Sequence, residues 1–244
     1  MREQLLAYVL KYQGEYAKIK KAIKNNEPWQ PCKYEGNYIT MLDEAYPRCF
    51  FQLDEPPYVL FYKGDLSLLE KPMLCVIGSR NMSKEGGEAC DCLIRHCNSE
   101  FVILSGLAKG IDACAHAMAL KYHRKSVAII GCGINRIYPI ENRMLYEQLS
   151  KGHLILSEYP DDAPPLAYHF PWRNRLLAAL CSKLVVVEAK ERSGTMITVT
   201  EALSLNKDIY VFPYRFNDAF GKGCNLLIQQ GANLLISDED IENL

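Results

Sequence analysis

The sequence predicts a doubly wound α/β fold, and three observations carry that prediction. Short apolar runs rich in β-branched residues recur at LCVIG, FVILSG, SVAIIG, HLILSE, LVVVEA, DIYVFP and, more weakly, NLLIS, starting roughly 25–30 residues apart. Amphipathic helical stretches fill the intervals, which gives the spacing that crossovers between parallel strands need. The runs are continuous rather than alternating, as suits strands covered by helices on both faces.

The elements follow in order. Residues 1–35 read as a short helical lead: Leu5, Leu6, Val9 and Leu10, then Tyr16, Ile19 and Ile23, keep helical spacing. The lead closes at NNEPWQP, where Asn, Pro and charge mark a stop and a linker. Helices this short do not fold alone, so they belong against the body, residues 36–240. That body opens with YITMLDEAYPRCF, a brief extended piece and a helical turn, and then a strand YVLFYKG after Pro56-Pro57. The seven recurring runs come next. Their carboxyl ends carry Gly78-Ser79-Arg80, Ser105-Gly106 leading to Lys109-Gly110, Gly131-Cys132-Gly133, Ser157-Glu158, and Glu188 running to Ser193-Gly194-Thr195. Ligands of open α/β sheets bind at such ends. Glycines, hydroxyls and cations there suit anions, phosphates above all.

Composition narrows the classes. The 244 residues carry a net charge of −1, so any nucleic-acid surface must be a local track of positive charge. The first residues, MREQLLAYVLKYQGEY, lack the apolar core and cleavage site of a signal peptide, and no apolar run approaches the ~18 residues of a membrane span. With ten cysteines in this setting, a reducing cytoplasm is expected rather than a disulfide framework, with no membrane association. The one dense cluster is Cys90, Cys92, His96 and Cys97 on a predicted helix, without any C-x-x-C pair. Buried thiols acting as small hydrophobes are expected there, and no metal.

Which phosphate would the rim take? A dinucleotide fingerprint wants three glycines and an acidic residue ending the second strand. Here the turn reads G-S-R-N-M-S, and the second strand ends in Ser105-Gly106. No P-loop pattern occurs. Gly78 is compatible with a phosphate turn and equally with a tight strand-to-helix connection. In HFPWRNRLLAAL, Arg173 and Arg175 follow Phe170 and Trp172, pairing planar cations with rings that can stack on bases. On a helix the two arginines diverge, one toward the rim and the other toward a carboxylate, and at least one ring is expected in the core. Asp112 and His116 share a helix face, with Asp112 bracing the glycine turn or, alternatively, the pair serving as a general base without a nucleophile in view. Glu188 and Glu201 could pair across RSGTMITVTEA.

Taken in order, YITMLDEAYP, PPYVLFYKGDL, VIGSRNMS, ILSGLAKGIDACAH, IIGCGINRIYPIENRML, LILSEYP, HFPWRNRLLAAL, AKERSGTMITVTEAL and GKGCNLLIQQGA resemble the DNA-processing protein A family (DprA, or Smf) from about residue 38 to residue 236. The resemblance implies an extended Rossmann-like, mostly parallel sheet that binds single-stranded DNA without catalysis and without a cofactor. It implies help in loading the RecA recombinase during DNA uptake and recombination, and a homodimer. By motif, Arg80 in Gly78-Ser79-Arg80 would be the principal phosphate-binding arginine, with Ser79 and Ser83 beside it. Phe170, Arg173, Asn174 and Arg175 match the family's F-P-x-R-N-R segment, Phe170 as the base-contacting ring. Ser105, Gly106, Ser193, Gly194 and Thr195 fall on the same rim. An arginine stands where a dinucleotide site has glycine because a polymer's phosphate needs a cation and open access.

Four departures from the family pattern are visible. The chain ends at NLLISDEDIENL, without the winged-helix extension of some members, and its lead is shorter than the sterile-alpha-motif-like domain of others. Pro213-Tyr214 stands for Pro-Gly, and a helix stops at Asn206-Lys207, asparagine being the next best left-handed cap after glycine. Two alternatives share the superfamily. A nucleoside-monophosphate phosphoribohydrolase would carry P-G-G-x-G-T-x-x-E, whereas RSGTMITVTEAL keeps only Gly194-Thr195 and places Glu201 too far on. A nucleotide sensor would bind a mononucleotide as well as an oligomer.

Overall fold

Each of the seven recurring apolar runs is a strand, and the seven pair with one another in parallel. The computed structural model describes residues 1–244, and its nine strands form one sheet. They are β1 (Asn37–Thr40), β2 (Val59–Gly64), β3 (Met73–Gly78), β4 (Val102–Ser105), β5 (Ser126–Ile130), β6 (Leu154–Ser157), β7 (Lys183–Glu188), β8 (Asp208–Val211) and β9 (Asn233–Leu234). Their order is β1-β2-β6-β5-β4-β3-β7-β8-β9. Strands β3 to β9 are mutually parallel, while β2 adds antiparallel to β6 and β1 to β2. The fold is the doubly wound, mostly parallel sheet that the sequence predicts.

The helices are α1 (Arg2–Lys11), α2 (Tyr16–Lys24), α3 (Lys84–His96), α4 (Ile111–Lys121), α5 (Arg143–Gly152), α6 (His169–Leu180), α7 (Gly194–Ser204), α8 (Lys222–Gln229) and α9 (Asp238–Glu242). Alternation along the strands assigns them to two faces. Cys75, Ile77, Leu104, Ile129, Leu184 and Val186 pack with Leu176 and Leu177 of α6, Val199 of α7 and Leu227 of α8. Leu74, Val76, Ile103 and Val185 turn the other way, onto Leu93 of α3, Ala115 of α4 and Ile241 of α9. Further along this second face, Ala128, Ile130 and Ile155 meet Leu149 of α5. The lead joins there, its Leu6, Val9 and Ile19 buried in one cluster with Phe61 and Ile155. Burial against the sheet is what holds helices of nine and ten residues.

Two departures have local compensation. Asn206 takes φ of 55° after α7, its N–H reaching Leu203 O at 3.0 Å while the Lys207 N–H reaches Ala202 O at 3.0 Å. Asparagine thus serves as the left-handed cap. Tyr214 lies across Gly221, where a Cβ would stand only 1.8 Å from the ring, and donates its hydroxyl to Val187 O at 2.9 Å.

From β3 the chain steps to β4, β5 and β6 on one side, and it then returns to β7 on the other side of β3. Connections therefore leave β3 and β7 in opposite directions. The crevice at their carboxyl ends is the place this topology reserves for a ligand.

Candidate functional site

A cleft of about 630 Å³ opens at that switch point. The loop after β3 supplies Ser79, Arg80 and Asn81, the start of α6 supplies Phe170, Arg173 and Asn174, and the turn into α7 supplies Lys190, Ser193, Gly194 and Thr195. Close packing shapes its floor. A Cβ on Gly78 would stand 2.6 Å from Ile111 and 2.9 Å from Glu188 O, so only glycine lets β3, β7 and α4 meet. The Ser79 N–H donates to Glu188 O at 2.8 Å, Thr195 Oγ1 donates to Gly78 O at 3.1 Å, and Ser79 Oγ holds the Asn81 backbone. The backbone at Arg80 is thus fixed on both sides and packed on Gly110, where a Cβ would stand 2.9 Å from Arg80 Cα, so only the side chain is left free.

Arg80 is exposed, and its guanidinium carbon lies 5.5 Å from the centre of the Phe170 ring. None of the ion pairs in the protein includes it. Phe170 is half-buried, backed by Gly131, and its ring centre is 5.4 Å from that of Tyr138, which is 46% exposed. Arg80, Phe170 and Tyr138 line up as a cation beside two aromatic faces. Such a row can hold a phosphate at one end and stack bases along the rest.

Arg173 has a different task. It is buried, and its Nη1 donates to Gly106 O at 2.7 Å and to Ile129 O. Gly106 leaves the space for this: a Cβ there would come within 2.6 Å of both Arg173 Nη1 and Asp112 Oδ2. Burial pushes the Asp112 carboxyl up, while the Arg173 charge and backbone N–H groups of Ala108 and Gly106 pull it down. The net effect is a carboxyl raised above its ordinary value, packed against Gly106 at the cleft floor. His116 lies farther inside, its Nδ1 2.7 Å from Ser126 Oγ. Ser126 gives its own proton to Ile103 O at 2.9 Å, which leaves its oxygen to accept from His116 Nδ1. Burial lowers its pKa to about 3. The pair is thereby split: the His116 imidazole faces the sheet, while Asp112 lines the cleft.

The start of α7 completes the site. Its first residue is Gly194, and an added Cβ there would meet nothing within 4 Å. Ser193 precedes it with a buried hydroxyl that has no protein partner. The 11-residue helix directs its free N–H groups and positive end at the cleft. Backbone donors, an unpaired hydroxyl and the cations Arg80 and Lys190 surround space for an anion.

Four residues expected on the rim lie outside the cleft's lining: Gly106, packed beneath Arg173, and three whose side chains are engaged elsewhere. Ser83 caps α3, accepting from the Gly86 N–H at 2.9 Å, and donates its hydroxyl to the buried Glu188, whose carboxylate also takes the Ser83 N–H at 3.1 Å. The place at the α3 N-terminus where a dinucleotide would put its pyrophosphate is filled by the protein's own carboxylate. Ser105 donates to Val76 O at 2.6 Å inside the sheet. Arg175 makes a buried bidentate pair with Glu158, both contacts 2.6 Å, and lies 4.2 Å from the Trp172 ring centre. The divergence of Arg173 and Arg175 is as helix geometry requires, with the carboxylate partner on Arg175. Trp172 and Glu201 line a second hollow with Tyr16, so the suggested Glu188–Glu201 pair is taken apart. Sequence reasoning missed Tyr138 and Lys190. For Lys190 a signal existed, since it lies two residues beyond the end of β7 at Glu188.

Known proteins share this architecture. The profile of the family described as DNA recombination-mediator protein A matches residues 37–244. DNA processing protein DprA of Streptococcus pneumoniae is 43% identical over 203 residues, covering 83% of this chain and 72% of the relative. The Bacillus subtilis protein of that name is 38% identical over 207 residues, covering 84% and 70%. In solved structures, DNA processing protein A from Streptococcus pneumoniae superposes with a TM-score of 0.83 at 36% identity, covering 99% of this chain and 92% of that one. DNA processing protein A from Helicobacter pylori, solved for its single-stranded DNA binding mode, gives 0.77 at 30% identity, covering 87% and 97%.

Proposed function

The chain belongs to the DNA recombination-mediator protein A family, and from that premise we propose that it binds single-stranded DNA in the cleft between β3 and β7. The observation that carries the reading is the exposed, unpaired Arg80 guanidinium beside Phe170, facing the open start of α7. A backbone phosphate sits between Arg80, Lys190 and the N–H groups of α7, with the Ser193 hydroxyl as a further donor. Adjacent bases stack on Phe170 and Tyr138, and the Asn174 amide, already accepting from Arg173 at 3.2 Å, has donors left for a base edge. Arg173 sets the floor and its positive potential without a direct bond. The proposed chemistry is binding rather than turnover: the Glu188 carboxylate is taken up by the Ser83 hydroxyl and N–H. The single-stranded DNA binding of the Helicobacter pylori relative supports the same role here. A homodimer that assists RecA loading onto the bound strand is the wider role that the family resemblance suggests.

Competition tests this reading. A labelled oligothymidine bound to the protein is displaced by unlabelled oligomers of rising length and by thymidine monophosphate. Affinity should climb with length until the site is filled. Equal competition by the mononucleotide would support a nucleotide sensor instead. Release of free base would support a hydrolase.

A further inference from the structure

Far from the cleft, three metal-ligating side chains meet where the end of the chain crosses α3. Cys92 and His96 lie one turn apart on α3, and Asp238, the first residue of α9, stands against both. The Cys92 sulfur is 3.5 Å from His96 Nδ1 and 3.3 Å from Asp238 Oδ1, and that oxygen is 3.3 Å from His96 Nδ1. The three atoms make a nearly equilateral triangle. Bound tetrahedrally to zinc at ordinary bond lengths, nitrogen and oxygen stand about 3.3–3.5 Å apart and sulfur about 3.5–3.7 Å from either. The two edges at His96 match, and the sulfur–oxygen edge of 3.3 Å would open by a few tenths of an ångström on binding.

The donor set selects the metal. Thiolate with imidazole favours zinc over magnesium or calcium, which prefer all-oxygen shells. The His96 side chain is 26% exposed and that of Asp238 63%, so the triangle opens to solvent. Three protein ligands with an open position for water is the arrangement of an accessible zinc site rather than a sealed one. The neighbouring Cys90 and Cys97 are buried in the core and take no part.

We propose that Cys92, His96 and Asp238 form a zinc site, with water in the fourth position, that clips α9 onto α3. Without metal, α9 is held by Ile241 and Leu244 packed among Leu93, Ile94 and Cys97, and by an Asp238 oxygen shared between the thiol and the imidazole. On binding, the Cys92 thiol loses its proton to solvent and its sulfur lone pair bonds the metal, as do the neutral His96 Nδ1 and the ionised Asp238. Burial and the neighbouring Asp238 raise the Cys92 thiol above its ordinary value, with Arg95 opposing them, so the metal must displace a firmly held proton. Proton release makes the affinity rise with pH.

The test uses the full chain, stripped of metal by a chelator and titrated with cobalt(II), then with zinc(II). One equivalent of cobalt should give a thiolate-to-metal charge-transfer band with the strong visible bands of a tetrahedral ion, and zinc should bleach both. Cys92→Ser should lose the charge-transfer band, whereas Cys32→Ser, at a cysteine in the lead, should keep it. Zinc should raise the Tm of the wild type but not that of Cys92→Ser. Asp238→Asn, at an exposed position that tolerates substitution, should weaken cobalt binding with the fold intact. The absence of any band in the wild type under excess cobalt would overturn the proposal and leave a hydrogen-bonded triad. So would a band that survives Cys92→Ser, or full cobalt affinity in Asp238→Asn.

Discussion

The Arg80 guanidinium stands 5.5 Å from the centre of the Phe170 ring, joining the tip of the β3 loop to the start of α6 across the cleft. Arg173 and Arg175, on that same helix, are buried and satisfied by carbonyls and by Glu158. The three arginines therefore divide into one cation available to a ligand, one that sets the cleft's floor and one that pairs with Glu158 away from it. Exposed charge beside an aromatic face matches the repeating unit of a single strand, a phosphate followed by a flat base.

Phe170→Ala should weaken oligothymidine binding by about 1–3 kcal/mol, the usual worth of one stacked base. Because the ring is half-buried, its loss should cost less stability than the about 3–5 kcal/mol of a core phenylalanine. Anisotropy titration and thermal melting of the same sample check both halves. Wild-type affinity with a collapsed Tm would place the ring in the core.

Arg175→Ala should behave in the opposite way. It strands the buried Glu158 carboxylate, at a cost of about 3–5 kcal/mol in urea unfolding. DNA affinity measured well below the transition should stay near wild type. A variant of full stability that fails to bind would restore Arg175 to the DNA surface.

Gly194→Ala adds a methyl group that meets no protein atom, so stability should change by less than about 0.5 kcal/mol. The same methyl intrudes where a phosphate would approach the helix start, and affinity should fall. Unchanged binding would move the phosphate away from α7.

His116 carries a pH dependence of folding. Its pKa is lowered to about 3 by burial, against 6.5 in the unfolded chain. Between those values the unfolded state binds a proton that the native state refuses, so stability falls as pH drops from 6.5 toward 3. From pH 8 to pH 5 this group alone should remove about 2 kcal/mol. His116→Asn, which keeps a donor toward Ser126, should lose that part of the slope in denaturation curves.

The sheet was legible because seven runs with apolar, β-branched character, separated by helical stretches, suit parallel strands covered by helices on both faces. The Gly78–Arg80 turn and the Phe170–Arg175 segment were legible as chemistry, since glycine, arginine and aromatic residues clustered at predicted strand and helix ends. Partner choice was not. Ser83 and Glu188 are 105 positions apart and meet only because β3 and β7 are neighbours, which the order of runs along the chain does not state. Tyr138 lies in an irregular stretch after β5, without periodicity to mark it, and reaches Phe170 through tertiary packing alone. For Asp238 the separation is larger still: it lies 146 positions from Cys92. Helix geometry foretold that Arg173 and Arg175 diverge, but not that both end up buried.

The most direct test is the salt dependence of binding, measured by anisotropy of a labelled oligothymidine of about 30 nucleotides, long enough to fill the site, for the wild type and Arg80→Ala. With three phosphates neutralised, the wild type should show log affinity falling against log salt with a slope of about −2. Arg80→Ala should lose about 1.5–3 kcal/mol at low salt, and its slope should flatten by about 0.7. A folded Arg80→Ala protein with wild-type affinity and wild-type slope would contradict the assignment of this cleft.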